Sequence, residues 1–435
     1  MAFTPYFSHS MDTFSKPMKD ASTSSGFDHV IRATNLDSDS IEFKLEKDEV
    51  HYLKTDDTML QGSFKIVDLE GKDIEEADVV APLNFFPSCL FESCEIFCND
   101  VRISSTSHNS LPYKRIIETL LTYGVDADKT HLKLALWYRD TNTDNAEQQT
   151  GDNNDGFQKR KKLVQKSREV FFSYWLQNDI LNVDRYYPNG MKLRFVFHKN
   201  SPEWCLMEGT VAEPRKTARG AAFGYKIKLT SLSLHIRKVV PTPELLNDHS
   251  QQFSKGLNMV YPYTRNKVSK FTQVPGASAA YLSSVETGRL PTQIYLVMVK
   301  TKTDLGDIKG NPLYFEHFDL SKAVLSINGQ VHKEYNCDFE SDNYMELVSE
   351  LYRNSGINNS NSPSLISPRS FKKGNAIFSW NLTPDKSNFM PYQTGTVDIE
   401  LNFKTALTAG ITITVLSLYD DTFVIDKFRN IVIAS

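Results

Sequence analysis

The sequence predicts an all-β protein in which one β-rich sandwich module is used twice in tandem, each copy interrupted by a single α-helix. Three observations lead there. First, strand periodicity is plain. In "GTVDIELNFKTAL" (Gly395 to Leu407), Val397, Ile399, Leu401 and Phe403 point one way, and Asp398, Glu400, Asn402 and Lys404 the other. Second, 27 Phe and 19 Tyr suit half-buried pleated surfaces. Third, the chain repeats itself over long stretches.

At 435 residues the chain exceeds one hydrophobic core, so more than one domain is expected. Forty per cent hydrophobic and 23% charged residues fit a soluble globular protein. A net charge of -4 provides no global basic field for nucleic acid. Residues 1–26 hold no apolar run and read as a flexible arm without a signal peptide, and no segment approaches the ~20 apolar residues of a membrane helix. Without an entry signal, the glycosylation-type triplets at Asn358 and Asn381 carry no weight. Five cysteines, an odd number, read as free thiols in a reducing compartment.

The repeat begins where "APLNFFPSCLFESCEIFCNDVRI" (Ala81 to Ile103) matches "NPLYFEHFDLSKAVLSINGQVHK" (Asn311 to Lys333). Pro82 pairs with Pro312, Phe85 with Phe315, Leu90 with Leu320 and Phe97 with Ile327. With one gap, Asn99-Asp100 matches Asn328-Gly329, both read as tight hairpin turns that tolerate left-handed backbone. A helix follows each hairpin. Tyr113, Ile116, Ile117, Leu120 and Leu121 form one apolar face, and Tyr344, Leu347, Val348, Leu351 and Tyr352 repeat its spacing. Ser110 and Ser341 are candidate N-caps, and Gly124 and Gly356 candidate stops.

Strands then resume. "FFSYWL" (Phe171 to Leu176) resembles "IFSWNL" (Ile377 to Leu382), and "PNGMKLRFVF" (Pro188 to Phe197) parallels the alternating stretch above, with Gly190 set against Gly395. The first half carries extra residues before this point. "DTNTDNAEQQTGDNNDG" (Asp140 to Gly156) has one apolar residue and reads as an exposed loop, and the basic run Lys159 to Lys162 reads as its solvated flank. The halves join after the strand Lys226 to Val240, at a short helix "PTPELL" capped by Thr242 with Pro243 in its first position. The predicted division is an arm over 1–26, a first module over 27–246 and a second over 247–435.

No motif carries catalysis. Cys89, Cys94 and Cys98 lack zinc spacing and read as buried thiols. The ten histidines form no H-x-H or H-E-x-x-H, and His317 beside Asp319 reads as a strand-edge pair. Asp140, Asn142 and Asp144 begin like a calcium loop, but Asn145 and Gly151 stand where glycine and glutamate are required. No phosphate-binding or dinucleotide glycine loop occurs. The reading is no enzyme, no cofactor, no metal and no catalytic residues.

Three chains of this kind in a ring would present six similar modules, since heterologous contacts close when the rotation allows. The residues also resemble a family. "GRLPTQIYLVMV" (Gly288 to Val299), "GNPLYFEHFDLSKAVLSINGQ" (Gly310 to Gln330), "LTPD" (Leu382 to Asp385) and the stretch Asp398 to Ile433 resemble the double jelly-roll major capsid proteins of Polinton/Maverick elements, adintoviruses and polinton-like viruses. In the first half, Leu111 to Asp140 and Tyr186 to Phe195 carry the likeness. The resemblance implies two tandem jelly-roll β-sandwiches, a trimeric pseudo-hexameric capsomer and an icosahedral shell around double-stranded DNA. It also implies location in the virion, assembled inside the host cell, and partners: a single jelly-roll penton protein, minor cement proteins, a maturation protease and a packaging ATPase. It implies no specific DNA binding by this chain. The alternatives are a tandem jelly-roll, lectin-like binding protein and a cupin-like metalloenzyme.

Overall fold

The computed structural model describes residues 22–104, 110–141, 150–151, 153–209, 224–359, 364–383 and 393–433. In the first module eight strands form two facing sheets: β1 (Thr23–Arg32), β2 (Ser40–Leu45), β3 (Tyr52–Asp68), β4 (Phe91–Cys98), β5 (Val101–Arg102), β6 (Val170–Trp175), β7 (Leu193–Lys199) and β8 (Tyr225–Pro241). One sheet runs β1-β8-β3-β6 and the other β2-β7-β4-β5. The second module repeats this with β9 (Met259–Gln273), β10 (Ala279–Arg289), β11 (Gln293–Lys300), β12 (Leu320–Ile327), β13 (Gln330–Asn336), β14 (Phe378–Asn381), β15 (Thr394–Phe403) and β16 (Ile411–Ile425). Its sheets run β9-β16-β11-β14 and β10-β15-β12-β13. Adding eight to every label of the first module gives the second. The orders 1-8-3-6 and 2-7-4-5, antiparallel throughout, are the wiring of a jelly roll, so the chain is two jelly rolls in tandem.

Four longer helices interrupt the strands: α1 (Ser110–Thr122), α2 (Asp155–Val164), α3 (Pro243–Ser254) and α4 (Met345–Asn354). α1 and α4 occupy the same place, between the fifth and sixth strands of their modules. The apolar face read for α1 is buried in full, and that of α4 is buried except for half-buried Tyr352. Both hairpin turns are left-handed as read, with φ of 48° and 68° at Asn99 and Asp100 and 52° and 77° at Asn328 and Gly329. These angles match the right-handed twist of the flanking strands.

The end signals divide. Gly356 follows α4 at φ 75°, the left-handed stop expected. Gly124 instead lies extended at φ -96°, ψ 174°, as the N-cap of the short helix Val125–Lys129. Ser110 is the first residue of α1. Ser341 caps nothing; Tyr344 holds the N-cap position of α4 without a side-chain bond, so packing rather than capping sets this helix start. Pro243 opens α3 as predicted, and Thr242 holds the N-cap position but makes no side-chain cap bond; the helix runs on to Ser254 and contains the 246/247 division. β1 starts at Thr23, paired with Pro241, inside the segment read as an arm; residues 1–21 lie outside the described residues.

The repeat itself needs one correction. Pairing from the two matched turns sets Cys98 opposite Leu193 and Ile327 opposite Val397, then Ile96 opposite Phe195 and Leu325 opposite Ile399. Leu193 therefore corresponds to Val397 and Phe195 to Ile399. The Gly190–Gly395 anchor is one residue out of this register. A one-residue slip exchanges the two faces of a strand, and it would put Glu400 where Phe195 fills the core. The facing of β15 is unaffected: Val397, Ile399 and Leu401 are 0% exposed.

Candidate functional site

In a protein built from two copies of one module, the informative place is where the copies meet. α1 lies at that seam. It is buried beyond its apolar face: Lys114, Arg115 and Thr119 are also covered. The covering surface includes the outer face of the β9-β16-β11-β14 sheet, which presents Asn266 and Lys270 from β9 to the helix.

Two carboxylates organise the contact. Asp304, at the end of the short helix Thr301–Asp304 that follows β11, accepts a hydrogen bond from the Tyr113 hydroxyl (2.8 Å) and another from Lys270 Nζ (2.7 Å). Its main-chain oxygen accepts from Trp204 Nε1 at 3.1 Å. Burial, together with the neighbouring Asp304 charge, pushes the Tyr113 hydroxyl well above its ordinary pKa. The phenol therefore stays protonated and donates. Burial lowers the Lys270 ammonium, and Asp304 only partly offsets it. Asp179 bonds Lys114, the Asn266 main-chain N–H (2.6 Å) and Asn266 Nδ2 (2.8 Å). Burial alone would lower the Lys114 ammonium, but Asp179 and Glu118 outweigh it and leave it raised. Paired buried charges of this kind contribute little net stability, yet removing one partner is costly. They fix how the modules are set against each other.

Aromatic packing closes another part of the seam. Tyr187 of the first module meets Tyr261 edge-on at 5.4 Å, and Tyr261 stacks on Phe423 at 5.0 Å. Nearby, Asn99 Nδ2 in the first hairpin turn donates to the Arg429 carbonyl at 3.0 Å. Arg429 Nε donates to the Asn189 carbonyl at 2.7 Å.

A third cluster gathers on Asp140. Its carboxylate takes Arg160 Nη2 (2.7 Å), Asn154 Nδ2 (2.8 Å) and Asn311 Nδ2 (3.1 Å), the last from the second module. The calcium-like opening of the acidic loop thus begins with a carboxylate already neutralised by a guanidinium; residues 142–149 and 152 lie outside the described residues. The basic run is not a solvated flank throughout. It lies on α2, capped by Asn154, and Arg160 is 0% exposed with its Nε on the Pro82 carbonyl at 2.8 Å. Gly156 permits this, since a Cβ there would collide with the Arg139 carbonyl.

The remaining sequence candidates stay apart from the seam or bury inertly. Cys89, Cys94, Cys98, Cys205 and Cys337 are free and buried. His317 stacks on Phe339 at 3.9 Å and accepts the Asp319 N–H at 3.0 Å through Nδ1. Among the described residues no group of three His, Cys, Asp or Glu side chains is placed to hold a metal. The polar face of β15 bonds within the second module: Asp398 accepts from the Ser284 N–H at 2.7 Å, and Lys404 pairs with Glu340 at 2.7 Å. Asp304, Asp179, Asn266 and Lys270 carried no sequence signal. They come from separate connections and strands that only the tertiary fold brings together.

No family model matches the chain. An uncharacterized protein of Caenorhabditis elegans is 22% identical over 410 residues, spanning 91% of this chain and 93% of that protein. Among solved structures, a chain of the Sputnik virophage cryo-EM structure superposes with a TM-score of 0.60 at 11% identity, over 100% of this chain and 93% of that one. The mavirus major capsid protein gives 0.56 at 11% identity, over 100% and 95%. The Faustovirus major capsid protein gives 0.52 at 10%, over 98% and 92%. At these identities the likeness is one of fold, and it extends over both modules.

Proposed function

We propose that the chain is a viral major capsid protein that trimerises into pseudo-hexameric capsomers and tiles an icosahedral shell around double-stranded DNA. The observation that carries this reading is the duplicated jelly roll held by a built seam, shared in fold across the full chain with major capsid proteins of a virophage and a large DNA virus. Two equal modules per chain make three chains a near-sixfold tile, and head-to-tail contacts close such a ring without a free edge. The seam's buried ion pairs suit a unit whose role is shape, because they specify orientation more than they add stability. The proposed division is a first jelly roll that includes β1 from Thr23 and a second that follows α3, in place of boundaries at 27 and 246/247, with the chain located in the virion. Its proposed partners are its own copies, a single jelly-roll penton protein and minor capsid proteins. It has no catalytic role in this reading. No helix among the described residues is long and apolar enough to cross a membrane.

Electron micrographs of the purified protein test the reading. Particles with a threefold axis and a six-lobed outline support it. Single two-lobed particles at every concentration, with a glycan raising the melting temperature, would favour the binding-module alternative instead.

A further inference from the structure

We propose that the cleft between the two modules beside Asp140 binds a compact multivalent oxyanion, a polyphosphate held by cations from both jelly rolls.

The cleft has a volume of about 640 Å³, the size of a small-molecule site. Five cations and three carboxylates line it, in a chain whose net charge is -4. Lys133, Arg139 and Lys159 come from the first module. Arg369 and Lys373 come from the second, in and just after the short helix Pro368–Lys372. The carboxylates are already engaged. Asp140 holds Arg160, Asn154 and Asn311. Asp128 lies 3.4 Å from Lys133. Asp155 sits in the first turn of α2, where the helix dipole stabilises negative charge. Among the described residues, Arg139, Lys159 and Arg369 form no ion pair.

Arg139 stands on a clamped main chain. The Tyr138 N–H donates to Asn84 Oδ1 at 2.6 Å, the Tyr138 carbonyl accepts from Arg160 Nη1, and the Thr141 N–H donates to Asn154 Oδ1 at 3.1 Å. The Arg139 side chain crosses the seam, where Nη1 donates to the Leu365 carbonyl at 2.7 Å. A guanidinium carries further N–H groups in a planar fork that fits two oxygens of a phosphate. Lys133 Nζ donates to the Trp137 carbonyl at 2.7 Å and lies 4.5 Å from the centre of the Tyr138 ring.

The cations crowd one another. Burial lowers the Lys133 ammonium, Asp128 partly offsets this, and the charges of Lys159 and Arg139 lower it further. Burial lowers the Arg139 guanidinium as well, against Asp128 and Asp140. Like charges around a concave, partly buried space focus a positive field into it. A multivalent oxyanion relieves their repulsion and ties Lys133 and Arg139 of one module to Arg369 and Lys373 of the other. A cleft bounded by both modules suits a compact ligand better than a polymer that must pass along a surface.

Calorimetric titration of the full chain with inorganic tripolyphosphate at low ionic strength tests this. Binding should saturate at one site per chain. The melting temperature should rise with tripolyphosphate and not with sodium chloride of matched ionic strength. Lys159→Gln combined with Arg369→Gln removes one exposed charge from each module and should weaken binding at least about tenfold. Arg139→Lys keeps the charge, loses the fork and should weaken binding about threefold or more. Lys47→Gln combined with Lys72→Gln removes two exposed charges outside the cleft and should change binding less than about twofold. No saturable heat at millimolar tripolyphosphate overturns the proposal, and so does equal loss in the two double variants. Tighter binding of a single-stranded oligonucleotide at equal phosphate concentration, lost in the same variants, also overturns it, because the ligand is then a nucleic-acid backbone and not a compact anion.

Discussion

Tyr113 and Asp304, 191 residues apart in sequence, are joined by a 2.8 Å hydrogen bond across the seam between the two jelly rolls. Lys270 approaches the same carboxylate at 2.7 Å and lies 4.7 Å from the centre of the Tyr113 ring. Asp304→Ala strands a largely buried ammonium and a buried phenol, and should cost about 3 kcal/mol. Tyr113→Phe removes one bond to a charged acceptor and should cost about 1.5–3 kcal/mol. Denaturant unfolding of both variants measures this. Losses below about 0.5 kcal/mol in both would mean the seam is not held by this pair.

Leu401 and Asp398 test the facing of β15. Leu401 is fully buried, and Leu401→Ala should cost about 2–5 kcal/mol and reduce soluble trimer. Asp398→Ala loses one hydrogen bond from the Ser284 N–H and should cost about 1 kcal/mol. Equal small effects would contradict the assigned face.

Asp48 gives a pH dependence. Burial alone would raise its carboxyl, but bonds from Lys238 and His51 side chains and from the Val50 and His51 main chain outweigh that and hold it well below the usual carboxylate range. A carboxyl depressed in the folded state stabilises above its unfolded pKa, and that stability is lost as pH falls through the folded value. Stability should therefore decline as pH drops below about 4. Asp48→Asn should remove about 1 kcal/mol at neutral pH and flatten this part of the curve. Thermal melts from pH 2 to 7 decide it; an unchanged slope in the variant would refute the assignment.

The cysteines should be silent in the native protein. Burial pushes the Cys98 thiol up to about 11 and Cys337 up to about 12, and burial raises Cys89, Cys94 and Cys205 as well. Only thiolate reacts. At pH 8 a thiol reagent should label none of the five in native protein and all five after unfolding, counted by intact mass. Rapid labelling of the native chain would show that this core opens.

Much of this fold was legible in the sequence because its signals are local. Asn99-Asp100 and Asn328-Gly329 declare their turns by residue type, and the spacing from Tyr113 to Leu121 declares a helix face. The Gly190–Gly395 match misled because a glycine fits both a left-handed turn at φ 80° and a strand, so it anchors no register. Arg160 was read as solvated because composition does not show that Pro82, Tyr138 and Asp140 surround it. The seam was least legible of all. Asp179 and Asp304 lie in connections between strands, without periodicity, and their roles exist only once both modules have folded and docked.

Native mass measurement of the purified full chain, across a range of concentrations, tests the central claim most directly. The account predicts a discrete species of three times the 49.5 kDa chain mass, with no comparable population of dimers or tetramers. A strict monomer at every concentration, with no larger particle under any solution condition, would contradict it.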